Sequence, residues 1–382
     1  MSSLNRPRVE SVDLLRGLVM ILMLLDHTRS GWNEGTGLDP LDLVNGSPAL
    51  FLTRWVTHFC APVFVLLTGL SASLARSGSL KLLRRGATLI ALELLVVSIL
   101  WGRVFFLGSV LFQVIWAIGF GLVVLAGLKR LGHLGAALVG IAIIAGHNAL
   151  PNLTFDNSVF QLLWALMHQH QSVVIAGFTF EVLYPALPWA GVLALGYGLG
   201  GLYLGVPGGD NGDTPGAQAR RRTVLAVGGA VAVLAFFVLR HLNGYGDPRP
   251  WRGRSSGGQA STLLTFLDLL KVEKYPPSLD YLLMTLGPAL LSLAAFDGLK
   301  PSRNNLLTVL GRNALFYYFV HLLVLAVVLV AADGVLVVVG VEHEFGALPF
   351  RFDLGYTYLV WALLLPVLYG LCRAWENRKR KT

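Results

Sequence analysis

The stretch VDLLRGLVMILMLLDHTRSGW, residues 12–32, decides how the rest of the chain is read. Residues 18–25 are wholly apolar, as a segment in hydrocarbon requires, yet Asp13 and Arg16 stand near one end and Asp26, His27 and Arg29 near the other. Ionisable groups inside a membrane helix are costly and tend to face a bundle interior or a wet cavity, so the stretch reads as one wall of a passage.

The composition agrees with a membrane setting. Of 382 residues, 55% are hydrophobic and only 13% charged, with a mean hydropathy of +0.65. A soluble domain of that composition would lack the polar side chains to cover its surface. The chain is therefore expected to be all-α, a polytopic bundle of membrane helices forming a single domain over residues 1–382. The net charge of +9 would suit a nucleic-acid partner, but the Lys and Arg fall between apolar runs and not on one basic face, which argues against it. They serve better as topology signals and anion sites. The basic start MSSLNRPR resembles a signal peptide, but no small-residue cleavage pattern follows, so the first run is read as an uncleaved span.

Apolar runs of bilayer length occur at 12–29, 54–75, 86–103, 108–128, 133–150, 183–204, 222–240, 278–298, 304–331 and 355–374, which predicts ten spans. With the N-terminus inside, eighteen of the thirty Lys and Arg fall on cytoplasmic segments and both termini are cytoplasmic. The exception is 241–277, an extracytoplasmic loop that holds five Lys and Arg. Residues 206–223 read as a cytoplasmic Gly, Asp and Pro-rich linker and 375–382 as a basic cytoplasmic tail. Cys60 and Cys372 fall toward opposite faces in this topology, so neither a disulfide nor a cysteine metal site is expected, and no metal is predicted.

Helical rise then gives depth. His27 ends the first span, His58 lies about one turn inside the second, and His321, counted along one helix from 304, climbs about 25 Å, so all three reach a similar outer level. His147, His168, His170, His241 and His343 also map to the outer side, where contact with water or headgroups accounts for them. Asp26 adjoins His27 and is a candidate to orient it, although neighbouring helix residues point about 100° apart. Asp13 and Arg16 share a helix face. They form either a local interfacial pair or, with Arg84, Arg85 or Arg312, an inner pocket for an anion. Gln113 and Trp116 lie one turn apart, Arg312, Tyr317 and His321 can share a polar stripe, and Glu93 is a further lining candidate without an assigned role.

Six stretches carry a family resemblance: RVESVDLLRGLVMILMLLDHTR (8–29), RWVTHFCAPVFVLLTGLSASL (54–74), QVIWAIG (113–119), YPALPWAGVLALGYGLG (184–200), KYPPSLDYLLMTLGPALL (274–291) and GRNALFYYFVHLL (311–323). Together they resemble bacterial proteins grouped with the heparan-alpha-glucosaminide N-acetyltransferase catalytic domain, within the wider transmembrane acyltransferase superfamily. The resemblance implies a helical bundle in the bacterial cytoplasmic membrane that moves an acyl group, acetyl by expectation, from cytosolic acyl-CoA to a sugar-containing acceptor of the cell envelope. Glycan O-acyltransferases of that superfamily carry an R-G pair followed, ten residues after the Gly, by a catalytic His. Arg16, Gly17 and His27 match that spacing. The lysosomal enzymes instead use a His in the following loop, and this chain has none between His27 and His58, so the likeness carries acyl transfer but not glucosamine as acceptor.

The expected site thus comprises His27, His58 and Asp26 for chemistry, as base or transient acyl carrier. Asp13, Arg16, Gln113, Trp116, Arg312, Tyr317 and His321 are expected to bind acceptor or acyl-CoA. The expected partners are the lipid bilayer and the acceptor, with a homodimer left open. Two other functions stay open: a proton- or metal-coupled transporter built on His27, His58 and His321, and, more weakly, an outer metal sensor whose histidines lack ligand spacing.

Overall fold

A computed structural model describes residues 8–33, 39–100, 108–204, 214–251, 262–338 and 354–380, with the backbone alone for 32–33, 100 and 333–338. Among these residues seven helices are long and apolar enough to cross a membrane. They account for eight of the expected runs, because 108–128 and 133–150 fall in one 36-residue helical stretch, Val114–Ala149. Of the other two runs, 12–29 forms a helix whose charges set it apart, and 86–103 passes into residues outside those described. The same is true of 206–213 in the expected linker, 252–261 in the expected loop, and the end of the tail.

The chain divides into two units, residues 1–60 with 292–382, and residues 61–291. The first unit holds α1 (Glu10–Asn33), α2 (Pro48–Thr57), α12 (Leu306–Arg312), α13 (Ala314–Val338) and α14 (Leu354–Lys379). Short polar residues start its shorter helices: Ser47 Oγ accepts from Leu50 N with Pro48 at the first position, and Asn305 Oδ1 accepts from Leu307 N and Thr308 N. α1 packs on α12 at Gly17 and Gly311, where any Cβ would strike the Leu307 carbonyl or the Asp13 carbonyl respectively. The expected single helix over 304–331 is broken at Asn313 (φ −111°, ψ 27°), so depth counted along one rod does not apply to His321.

The second unit runs through α3 (Cys60–Leu74, entering from the first), α4 (Ser79–Leu92), β1 (Ser109–Phe112), α5 (Val114–Leu128) and α6 (Gly132–Gly146). It continues with α7 (Ser158–Met167), β2 (Gln171–Ile175), β3 (Phe178–Val182), α8 (Ala186–Leu199), α9 (Pro215–Leu242), α10 (Thr262–Leu270) and α11 (Leu279–Phe296). α5 and α6 are two helices and not one rod: Gly121 of α5 meets Ala190 and Leu193 of α8, while Gly140 of α6 meets Gly191 and Leu195 of the same turn. Both can touch one turn only if the chain folds back between them, which it does at Gly132, whose φ of +71° suits a residue without a Cβ. The expected linker ends early, since Thr214 caps α9 and the three arginines 220–222 are helical.

A small mixed sheet, in the order β1-β3-β2, was not expected. β1 lies parallel to β3, and β2 and β3 form a hairpin through Ala176 and Gly177, both at positive φ. The apolar run from 108 read as the start of a helix, but Ser-Val-Leu-Phe pairs with 179–182 and buries Phe112 against Val173, Val182 and Ala165.

Peripheral helices show the solvent they are built for. On α9 the exposed Val224, Val227, Val231, Leu234 and Val238 recur every three or four residues, as do Leu359, Leu363, Val367 and Leu371 on α14. Continuous apolar stripes of this kind suit lipid contact, where they cost nothing.

Candidate active site

The first unit gathers the polar residues of α1 into two clusters. At its N-terminal end Asp13 bridges two arginines: Arg16 Nη1 donates to Asp13 Oδ1 at 3.2 Å and Arg312 Nε to Oδ2 at 3.4 Å. Arg16 also donates to the Gly311 carbonyl at 3.3 Å, and Arg312 Nη2 to Glu10 Oε1 at 3.3 Å. The glycine contact between α1 and α12 is what permits these short spans. Arg312 also borders a cavity of about 480 Å³ lined by Arg8, Glu10, Arg303, Asn313, Glu376, Lys379 and Arg380. Five cations face two carboxylates there, so the cavity favours an anion.

Eleven positions further along, about 16 Å by helical rise, is the second cluster. His27 Nδ1 lies 2.7 Å from His321 Nε2, with the two rings nearly coplanar at 13° and their centroids 5.0 Å apart. His321 is fully buried, and its Nδ1 donates to the Tyr317 carbonyl at 3.0 Å. Tyr317, also fully buried, stacks on His321 at 5.4 Å and donates its hydroxyl to the Met20 carbonyl at 3.1 Å. Thus the resemblance-derived His27 and the stripe residues Tyr317 and His321 meet in one place.

Asp26 is engaged elsewhere than expected. Arg54 Nη1 donates to both its oxygens at 2.7 and 3.0 Å, Thr57 Oγ1 donates at 2.8 Å and Arg29 Nη2 at 3.2 Å. The residue that fixes His27 at Nδ1 is His321. Asp26 instead ties α1 to the end of α2, immediately before His58, which is buried in the two-residue turn leading into α3.

In the second unit Gln113 is the N-cap position of α5, and the main-chain N–H of Trp116 donates to Glu93 Oε2 at 3.1 Å. Glu93, fully buried, opens a π-helical turn at the end of α4, so its unassigned carboxylate acts as a capping group at the positive end of α5. Arg84 and Arg85 are exposed on α4. Sequence reasoning missed Arg54 and Thr57 as partners of Asp26, and it read Arg303, Lys379 and Arg380 only as topology charges. Their spacing along the chain gives no sign that they share a cavity.

Neither cysteine is in a disulfide and both are buried, Cys60 with its thiol donating to the Val19 carbonyl. Among the described residues no three His, Cys, Asp or Glu side chains are grouped to hold a metal ion.

The family model described as heparan-alpha-glucosaminide N-acetyltransferase, catalytic, matches residues 8–241, more than half of the chain. The chain belongs to this family. It is therefore a multi-pass protein of a membrane acetyltransferase family. The match includes α1 with Arg16 and His27 and ends before α12 and α13, so Arg312, Tyr317 and His321 lie beyond the part shared with the heparan-alpha-glucosaminide N-acetyltransferase model. No curated protein matches the chain.

Proposed function

We propose that the protein transfers an acyl group, acetyl in the first instance, from acyl-CoA at the cytoplasmic face to a hydroxyl or amine of an extracytoplasmic, sugar-containing acceptor. The supporting observation is the polarity of α1: cations at one end open on an anion-favouring cavity, and eleven positions away His27 is held by a buried partner. A donor that carries phosphates at one end and a thioester at the other calls for that division.

In this reading Arg312, Arg303 and Lys379 receive the phosphates of CoA, and Arg16 holds the inner end of α1 to α12 through Gly311. His27 takes the acceptor proton as the acceptor oxygen or nitrogen attacks the thioester carbonyl. The carbon–sulfur bond breaks and the departing thiolate takes up a proton to become CoA thiol. In the acyl-carrier variant the His27 nitrogen attacks first and the acceptor then displaces it. Asp26 positions the turn that contains His58. The setting is the bacterial cytoplasmic membrane, with the ten-span topology placing both termini inside.

The test is acyl transfer by purified protein in proteoliposomes, with labelled acyl-CoA on the cytoplasmic side and envelope glycans as acceptors. Label on the acceptor that is lost in His27→Ala supports the reading. Wild-type rates in both His27→Ala and His58→Ala would remove the role given to histidine. Solute accumulation that ignores CoA would replace acyl transfer with transport.

A further inference from the structure

We infer that His321 is a positioning residue that holds His27 in the tautomer with its proton on Nδ1, so that Nε2 is the basic nitrogen. The functional half of this inference rests on the reading of His27 as the base. The tautomer itself follows from hydrogen-bond bookkeeping.

The Tyr317 carbonyl can only accept, so the 3.0 Å contact requires a proton on His321 Nδ1. His321 is fully buried, with a backbone carbonyl and another imidazole as hydrogen-bond partners. A buried cation without a carboxylate is strongly disfavoured, so the ring is neutral and its Nε2 holds a lone pair. The 2.7 Å approach of His27 Nδ1 to that lone pair then requires His27 Nδ1 to donate. A neutral His27 that donates from Nδ1 has its own lone pair on Nε2.

Ring contacts hold His321 as well as its hydrogen bonds: it stacks on Tyr317 at 5.4 Å and meets Tyr318 edge-on at 5.7 Å, while His27 lies nearly in its plane, 13° away from parallel. An imidazole offers a donor toward its own helix and an acceptor toward α1 within one rigid plane, which no aliphatic side chain supplies. Its neutral acceptor also stabilises a protonated His27 less than a carboxylate would. A proton taken at Nε2 is therefore given up again readily, which turnover of a general base demands. Asp26 does not compete for this role, because Arg54 and Thr57 draw its oxygens toward α2.

The experiment is nitrogen NMR of the full-length protein, histidine-labelled with ¹⁵N, in lipid nanodiscs near pH 8, with the His27 signals identified by their loss in His27→Asn. The expected result is a protonated Nδ1 and an unprotonated Nε2 on His27 in the wild type. His321→Phe keeps a flat ring but removes the acceptor, and should shift His27 toward the Nε2-protonated form. It should also lower kcat for acyl transfer on the order of 10²-fold with KM for acyl-CoA unchanged. His321→Gln, whose amide oxygen can accept from α1, should restore the tautomer and part of kcat. A wild-type His27 protonated at Nε2, or a His321→Phe protein with the tautomer unaltered, overturns the inference. If the tautomer responds as stated but no variant or wild type transfers acyl groups, the tautomer stands and the acyltransfer reading fails. If His321→Phe does not fold, the wild-type spectrum and His321→Gln decide.

Discussion

Arg54 closes on Asp26 from 28 residues away, one guanidinium nitrogen meeting both carboxylate oxygens at 2.7 and 3.0 Å. The pair is partly buried, each side chain 14% exposed, so it is worth more than a surface ion pair and less than a fully buried one. Asp26→Asn leaves both Arg54 and Arg29 without their carboxylate and should cost about 2 kcal/mol. Arg54→Ala should cost a similar amount, and the double variant less than the sum, because the two act as a unit. Thermal unfolding of the four proteins in one detergent measures this, and additive losses would show that the pair is not coupled.

The crossing of α1 and α12 leaves no room for a methyl group. Gly17→Ala and Gly311→Ala should each destabilise by about 1–3 kcal/mol, or separate the helices and yield aggregated protein on size exclusion. Gly370→Ala on α14 is the control: open space surrounds it, and the gain in helix propensity should leave the melting temperature equal or higher.

The cationic cavity predicts a binding effect and not a chemical one. Arg303→Ala and Lys379→Ala should raise KM for acyl-CoA with little change in kcat, since contacts to the donor's distal phosphates are equal in ground and transition states. The wild-type KM should rise with ionic strength, and less steeply in either variant. A fall in kcat alone would place these residues at the reacting centre.

His168 links stability to pH. Burial pushes its imidazole below the ordinary value, opposed by the hydrogen bond from Nε2 to the Leu150 carbonyl at 3.2 Å, while His147 packs 6.4 Å away and Trp164 5.3 Å away. Between the ordinary imidazole value and the lowered one, the unfolded chain binds a proton that the folded chain refuses, so stability falls as pH drops through that window. The melting temperature should decline more steeply from pH 8 to pH 5.5 in the wild type than in His168→Phe. Equal slopes would exclude His168 as the group responsible.

The sequence made both ends of α1 legible, because charges in an apolar helix are unusual enough to stand out and the rise per residue converts their spacing into depth. It also brought His321 to the level of His27, although the route was different: Asn313 breaks the helix along which the height was counted. The partner of Asp26 was not legible, since helix periodicity says which way a side chain points but not what arrives from α2. The β1 strand was hidden because four apolar residues fit either period, and only pairing with a segment some seventy residues later decides between them. The basic cavity was hidden for a similar reason, since Arg8, Arg303, Arg312 and Lys379 come from three distant parts of the chain.

The row of hydrogen bonds that runs from His27 through His321 stops at a main-chain carbonyl, that of Tyr317. Amide oxygens neither surrender nor retain protons at ordinary pH, so the row is a cul-de-sac. The branch through His321 therefore supplies no leak by which the membrane's electrochemical gradient could drain.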